Sequence, residues 1–377
     1  MSGGGGGLGG DSDAVVPGSQ ARTGVGERSG GGGQGTAALR ADVVVRRRDF
    51  EVAIALDVAQ GETVAVMGRS GAGKSTLLDA LAGLTPLDAG EISLDGRVLD
   101  RAPRLRTAPM HRGIVLLGQD ARLFPHLTAR ENVAFGPRAA GVSASDARSR
   151  ADEWLERVGL PGAGDRRPAQ LSGGEQQRVA VARALAAEPR VVLLDEPLVA
   201  LDAVTASEIR AMLRERLDGV TTIAVTHDAV DAAALADRLV IVERGVITQQ
   251  GPVREVLAAP ATEVAAKIAG LERVVGMARG GAFEREGLRL SSSDAASRAL
   301  AAVDGVALAA VFRAADARLG EGAPARVSHL ESTPTGVRVV TEHGAAEVAP
   351  ADAAGIRPGD VVLIDIAPGR VRFVPAT

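Results

Sequence analysis

The chain has 377 residues, and at about 150 residues per domain this length fits two or three domains with sizeable cores. Hydrophobic residues are 46% and charged residues 24%, so most of the chain is expected to fold, and a net charge of −4 with a pI near 5.9 excludes the basic footprint of a nucleic-acid binder. The absence of cysteine excludes disulfides, thiolate nucleophiles and cysteine-based zinc sites.

No apolar run approaches the roughly 18 residues of a membrane span, and none near the N-terminus forms a signal-peptide core, so a soluble, cytosolic chain is expected. Aromatics are 2%, with no tyrosine, which leaves Val, Leu, Ile and Ala to build the cores. Nearly all of the 43 basic residues are arginine; the lysines are Lys74 and Lys267. Lysine at 74 points to a need for a compact ammonium rather than a planar fork.

Residues 1–37 are rich in Gly and Ser, poor in apolar side chains, and expected to be disordered. From Ala41 onward, ADVVV and then FEVAIALDV alternate like strands, and TVAVM follows the Gly61-Glu62 turn as a short buried strand. Next comes Gly68-Arg69-Ser70-Gly71-Ala72-Gly73-Lys74-Ser75-Thr76, which fits the G-x-x-x-x-G-K-[ST] phosphate loop. STLLDALAGL continues it with helical periodicity, giving the strand–loop–helix context that the motif requires. Its glycines let backbone N–H groups turn onto phosphate oxygens at a helix N-terminus. In that reading Lys74 bridges the β- and γ-phosphates, Ser75 ligates Mg²⁺ and Thr76 contacts the α-phosphate.

EISLDG and IVLL read as further strands. Ala147, Ala151, Trp154, Leu155 and Val158 recur at helical spacing among charged residues, which predicts an amphipathic helix over 145–158. Leu171-Ser172-Gly173-Gly174-Glu175-Gln176-Gln177-Arg178 opens a second helix, 173–187, which ends near Pro189. Ser172 and Glu175 fit a capping box, but that leaves two consecutive glycines in the first helical turn, where they cost stability. Close approach of a phosphate to the helix tip would account for Gly173 and Gly174.

The apolar strand Val191-Val192-Leu193-Leu194 delivers Asp195 and Glu196 at its C-terminal end, the edge where ligands bind in open α/β sheets. Asp195 is the candidate for holding Mg²⁺ through water, and Glu196 for polarising an attacking water as general base. TTIAV and LVIV are strands separated by helical stretches around 203–217 and 228–236, which predicts a largely parallel sheet with helices on both faces. After Leu271 come short strands (GVRVVTE, DVVLIDI, RVRFV) with Gly/Pro turns, the pattern of a small β domain. The expected division is therefore 1–37, 38–270 and 271–377. His111, His126, His227, His329 and His343 are scattered without paired metal-ligand spacing.

The phosphate loop, Gln119, LSGGEQQR, LLDEP, Leu201-Asp202 and His227 occur in that order across roughly residues 40–250. This arrangement resembles the ATP-binding subunit of ABC transporters. The resemblance implies a P-loop α/β cassette with a helical subdomain, ATP and Mg²⁺ as cofactors, and two copies facing head to tail. Ser172, Gly173, Gly174 and Glu175 of one copy would then complete the phosphate-loop site of the other. Gln119 would sense the γ-phosphate and Mg²⁺, beside Ser75 and Asp195, and His227 would contact the γ-phosphate and the attacking water.

The stretch GQDARLFPHLT with ENVAFGP is similar to the importer branch, where this region meets a permease's cytoplasmic coupling helix. DGRVLD, GQDARLFPH and Arg167-Pro168-Ala169-Gln170 look most like molybdate-importer subunits; sulfate, ferric-iron and polyamine importers share the layout. Residues 271–377 are similar to the oligosaccharide-barrel-like regulatory domain of such importers, on VFRAADARL and IRPGDVVLIDIAPGRVRFV. The resemblance implies a chain bound peripherally to transmembrane permease subunits at the cytoplasmic face of the cell membrane, with an extracytoplasmic solute-binding protein as an indirect partner.

The sequence departs from the family pattern in four places. Val45-Arg46-Arg47-Arg48-Asp49-Phe50 stands where an aromatic usually stacks on adenine, which makes Phe50 or an arginine the candidate. Val199 stands where Ser or Thr is common, and Gly118 where a bulky residue often precedes the glutamine. Pro324-Ala325-Arg326-Val327 replaces the Ser-x-Arg-Asn run of molybdate-binding modules, so 271–377 is expected to make a dimer contact rather than to sense molybdate. The competing classes are a soluble ABC ATPase of DNA repair or translation, and a cassette that senses nucleotide or oxyanion without turnover.

Overall fold

Strands β1 (Ala37–Arg46) and β2 (Glu51–Ala59) are joined through residues 47–50, a connection too short for a parallel crossover, and they pair antiparallel with Val43 opposite Ile54. The computed structural model describes Met1 and residues 37–47, 50–199 and 201–376; the disorder expected over 1–37 falls on residues outside these, apart from the two ends of that stretch. After β3 (Thr63–Met67), α1 (Lys74–Ala82), β4 (Ala89–Leu94), β5 (Arg97–Arg101) and β6 (Leu105–Arg106), a five-stranded sheet is complete in the order β2-β1-β4-β5-β6. Asp95 and Gly96, both at positive φ, make the two-residue turn that places Leu94 opposite Arg97.

The chain continues through β7 (Ile114–Leu117), α2 (Ala129–Ala139), α3 (Ala144–Arg157), α4 (Gly173–Ala186) and β8 (Val191–Asp195). It then runs through α5 (Ala203–Arg216), β9 (Thr221–Val225), α6 (Ala229–Leu235), β10 (Arg238–Glu243), β11 (Val246–Pro252), α7 (Val253–Ala258) and α8 (Glu263–Ile268). A second sheet has the order β11-β10-β3-β9-β8-β7, parallel except for the β10–β11 hairpin. The expected parallel sheet is therefore present, but strands 41–45, 50–58 and 91–96 belong to a separate antiparallel sheet, in which the short connection sets β1 against β2 and β4 joins the other edge of β1.

The parallel strands are apolar along their centres, with polar residues such as Thr63, Asp195, Thr221 and Arg238 at their ends, because both faces are covered. On β8, Val191 and Leu193 face a core shared with α1 and the antiparallel sheet, while Val192 and Leu194 face α4 and α5. On β3, Val64 and Val66 join the first core, and Ala65 and Met67 pack with α7 and α8. Helix α1 is thus held between the two sheets by Leu77, Leu78 and Leu81. Helix α2, read in sequence only as a contact stretch, starts in a capping box of Thr128 and Glu131.

The remaining elements are β12 (Glu272–Arg279), β13 (Ala282–Arg285), β14 (Leu288–Leu290), α9 (Ala295–Ala301), β15 (Ala307–Phe312), β16 (Ala317–Ser332), β17 (Val337–Thr341), β18 (Gly344–Val348), β19 (Val361–Ile366) and β20 (Arg372–Pro375). They form two antiparallel sheets, β14-β13-β12-β15-β20 and β18-β17-β16-β19, around one core of Phe283, Phe312, Ile364 and Phe373. Long β16 serves both β17 and β19 by bending at Gly320 and Gly322, where its register with β19 shifts. The all-β expectation is met except for α9, which Asp294 caps.

Candidate functional site

Backbone geometry makes the glycines of the loop after β3 necessary. A Cβ on Gly68 would lie 2.1 Å from the Val242 carbonyl oxygen, and one on Gly73, at φ +105°, 2.8 Å from Val52 Cγ2. The loop is braced from the β10–β11 hairpin, whose Gly245 N–H donates to the Ala72 carbonyl at 2.9 Å. Sequence reasoning missed Gly245; its signal was the Arg-Gly pair between two apolar runs.

Lys74 is buried, and its Nζ donates to the carbonyls of Gly68 (2.8 Å) and Arg69 (3.1 Å). Burial holds its pKa below the ordinary lysine value, against the opposing pull of Glu196 and Asp195. Asp195 is pushed above the ordinary aspartate value, first by burial and then by Glu196; a hydrogen bond with Ser75 and the charge of Lys74 act the other way. Glu196 sits in the left-handed region at φ +50°, a strained position of about 1–3 kcal/mol for a non-glycine residue. Its N–H donates to the Val225 carbonyl at 3.0 Å, and its Oε2 lies 3.5 Å from His227 Nδ1.

The turn bearing His227 is also fixed: Asp228 N–H donates to Thr226 Oγ1, which bonds Asp231, and Asp231 pairs with Arg210 of α5. Sequence reasoning passed over Asp231 and Arg210 because they come together only in the fold.

A cavity of about 660 Å³ opens over this edge. It is lined by the loop glycines 68, 71 and 73, by Ser70, Lys74, Ser75 and Thr76, by Glu196 and His227, and by Arg47 and Phe50. Arg47 Nη2 donates to Thr76 Oγ1 at 3.1 Å, so the arginine run and Phe50 both border the position next to the loop. Asp195 joins the site through Ser75.

Arg69 and Ala72 do not line the cavity, and neither do Gln119, Ser172, Gly173, Gly174 and Glu175. Gln119 is exposed just past the C-terminal end of β7, the strand beside β8. Ser172 and Glu175 form the capping box: Ser172 Oγ accepts from the Glu175 N–H (3.2 Å) and Glu175 Oε2 from the Ser172 N–H (2.8 Å). That bond holds the Glu175 carboxyl below the ordinary glutamate range. The two glycines, expected to share one reason, have different surroundings. A Cβ on Gly174 would strike Thr205 Cγ2 at 2.6 Å, a packing reason inside the chain, whereas Gly173 faces open space.

The residues fit a nucleoside triphosphate with Mg²⁺. Helix α1 begins without a side-chain cap and without an acidic residue in its first turn, which leaves its N–H donors to an anion. Lys74 faces the cavity with only carbonyls for partners, and the Ser75 hydroxyl and Asp195 carboxylate are hard oxygen donors of the kind Mg²⁺ takes. Among the described residues no group of three His, Asp or Glu could hold a metal without such a ligand, and no helix is long and apolar enough to cross a membrane.

Residues 52–199 match the family model described as ABC transporter. The chain is 51% identical over 226 residues to the Fe(3+) ions import ATP-binding protein FbpC of Streptomyces avermitilis, covering 59% of this chain and 64% of that protein. It is 47% identical over 245 residues to the molybdenum import ATP-binding protein ModC of Mycobacterium tuberculosis, covering 63% of this chain and 65% of that one. The chain thus spans just under two thirds of the length of these curated relatives. A solved dimeric structure of a post-hydrolysis state of the ATP-binding cassette MJ0796, bound to ADP and Pi, is similar with a TM-score of 0.50 and 32% identity. That match covers 57% of this chain and 99% of MJ0796.

Proposed function

We propose, on the premise that this chain belongs to the ABC transporter ATP-binding family, that it hydrolyses ATP to drive solute import through a membrane permease. The observation that carries this reading is the convergence of Lys74, Ser75, Asp195, Glu196 and His227 around one cavity at the C-terminal edge of the parallel sheet. In this reading residues 38–270 are the nucleotide unit and 271–377 a dimer-contact unit. The protein works as a head-to-tail pair bound peripherally at the cytoplasmic face, with an extracytoplasmic solute-binding protein as an indirect partner.

Gly68 to Gly73 cradle the triphosphate with backbone N–H groups, and Arg69 and Ala72 serve through their backbone alone. Lys74 exchanges its two carbonyl partners for β- and γ-phosphate oxygens, Thr76 contacts the α-phosphate, and Arg47 or Phe50 stacks on the base. Ser75 and Asp195, with Gln119 brought in from beside the cavity, would hold Mg²⁺, which would supply positive charge to offset that developing on the phosphates. Glu196 accepts a proton from the attacking water, and His227 holds that water and the γ-phosphate in line. The partner's copy supplies Ser172, Gly173, Gly174 and Glu175 as the helix tip that closes the site.

For the solute we propose molybdate or a related oxyanion, a reading supported by the 47% identity to a molybdenum importer subunit over 245 residues. A ferric-iron importer is the second reading, favoured by the 51% identity to the Streptomyces protein; sulfate and polyamine importers share the layout. The test is the full-length chain in proteoliposomes with its permease and solute-binding protein. ATP turnover stimulated by molybdate supports the first reading, stimulation by Fe³⁺ alone replaces it with the second, and no Mg²⁺-dependent turnover overturns the enzymatic reading.

A further inference from the structure

Gln177 is the one part of the LSGGEQQR run whose side chain is sealed inside the protein and bonded to the turn that carries Glu196. It lies on α4, is 4% exposed, and its Nε2 donates to the Pro197 carbonyl at 3.0 Å. Pro197 has no N–H, so this carbonyl is its only main-chain polar group.

The 196–199 turn is thereby held from two sides. The Glu196 N–H is tied to β9 through Val225, and the next residue's carbonyl is tied to α4 through Gln177. Between these anchors Glu196 keeps its left-handed backbone, a conformation that persists only where the surroundings over-determine it.

We propose that Gln177 is a positioning residue for hydrolysis: its amide holds the Pro197 carbonyl and so fixes where the Glu196 carboxylate meets the attacking water. This rests on the reading of Glu196 as general base. A general base acts only within hydrogen-bond reach of the proton it removes, so a shifted carboxylate lowers the chemical rate while leaving the nucleotide's contacts with the phosphate loop intact.

The test uses the full-length chain with its permease in proteoliposomes. Gln177→Met keeps side-chain length and removes the donor, and Gln177→Glu keeps the shape but presents an acceptor to the carbonyl. Both are expected to lower kcat by about 10- to 100-fold with KM for ATP within about twofold of wild type. In a Glu196→Gln background Gln177→Met is expected to change the residual rate by less than about twofold, because the group it positions is already gone. A wild-type kcat in both variants overturns the proposal. So does a loss confined to KM, or an undiminished loss in the Glu196→Gln background, which would mark a general packing role. Equal turnover of wild type and Glu196→Gln would instead overturn the general-base reading beneath it.

Discussion

Lys74 and Glu196 carry the most direct tests of the site. Lys74 trades two neutral carbonyls for phosphate oxygens, so Lys74→Ala should weaken ATP binding by about 1.5–3 kcal/mol, the worth of a charged hydrogen bond, as read by titration calorimetry. Glu196→Gln should slow turnover by roughly 10²–10⁴, the usual contribution of a general base, in a phosphate-release assay. Asp195 brings a pH effect. Because its folded-state pKa is raised, the folded chain binds more protons than the unfolded one, so its contribution turns against folding as pH rises through that raised value. Asp195→Asn should therefore raise the melting temperature of the nucleotide-free chain at neutral pH and flatten its pH dependence, while weakening Mg²⁺-dependent ATP binding. An unchanged melting curve would remove burial and Glu196 as the cause.

Helix tips decide two further matters at the scale of elements. The paired glycines opening α4 have different reasons, which substitution can separate. Gly174→Ala should destabilise by about 1–3 kcal/mol through its clash with Thr205 Cγ2, and Thr205→Ser should restore the melting temperature by removing that methyl. Gly173→Ala meets open space and should stabilise the chain by up to about 1 kcal/mol through helix propensity, so any loss of turnover there reports a ligand at the tip. At the other end of α1, buried Arg112 donates to the Ala80 and Leu81 carbonyls and to Asp100. Gly83 leaves the room for that guanidinium, since a Cβ there would sit 2.3 Å from its Nε. Sequence inspection had no route to this contact, because nothing in the spacing of positions 83, 100 and 112 brings them together.

At the scale of the whole molecule, the placement of Ser172–Glu175 away from the cavity is the observation that requires a second copy in the proposed mechanism. Glu196→Gln chain with Mg²⁺ and ATP should sediment as a dimer and return to monomer with ADP; a monomer under both conditions would remove the partner's helix tip from the site. The β-rich residues 271–377 have their own core and adjoin the cassette through Arg273, whose Nε donates to the Pro260 carbonyl at 3.3 Å. Exposed Val361 and Leu363 on edge strand β19 leave an apolar margin there, in keeping with a proposed contact role.

By itself the sequence determined whatever is contiguous and periodic: the phosphate loop between β3 and α1, the carboxylates ending β8, the capping box of α4 and the parallel strands around them. These follow from local backbone geometry and from burial on both faces, which leave their pattern within a few residues. Only the tertiary structure decided that the first strands form their own sheet, that Gly245 braces the loop and that Gln177 reaches Pro197. It also decided that Asp231 and Arg210 anchor the turn of His227. Each of those depends on side chains or carbonyls distant in the chain meeting in space, and such a meeting leaves no periodicity in the sequence to be read.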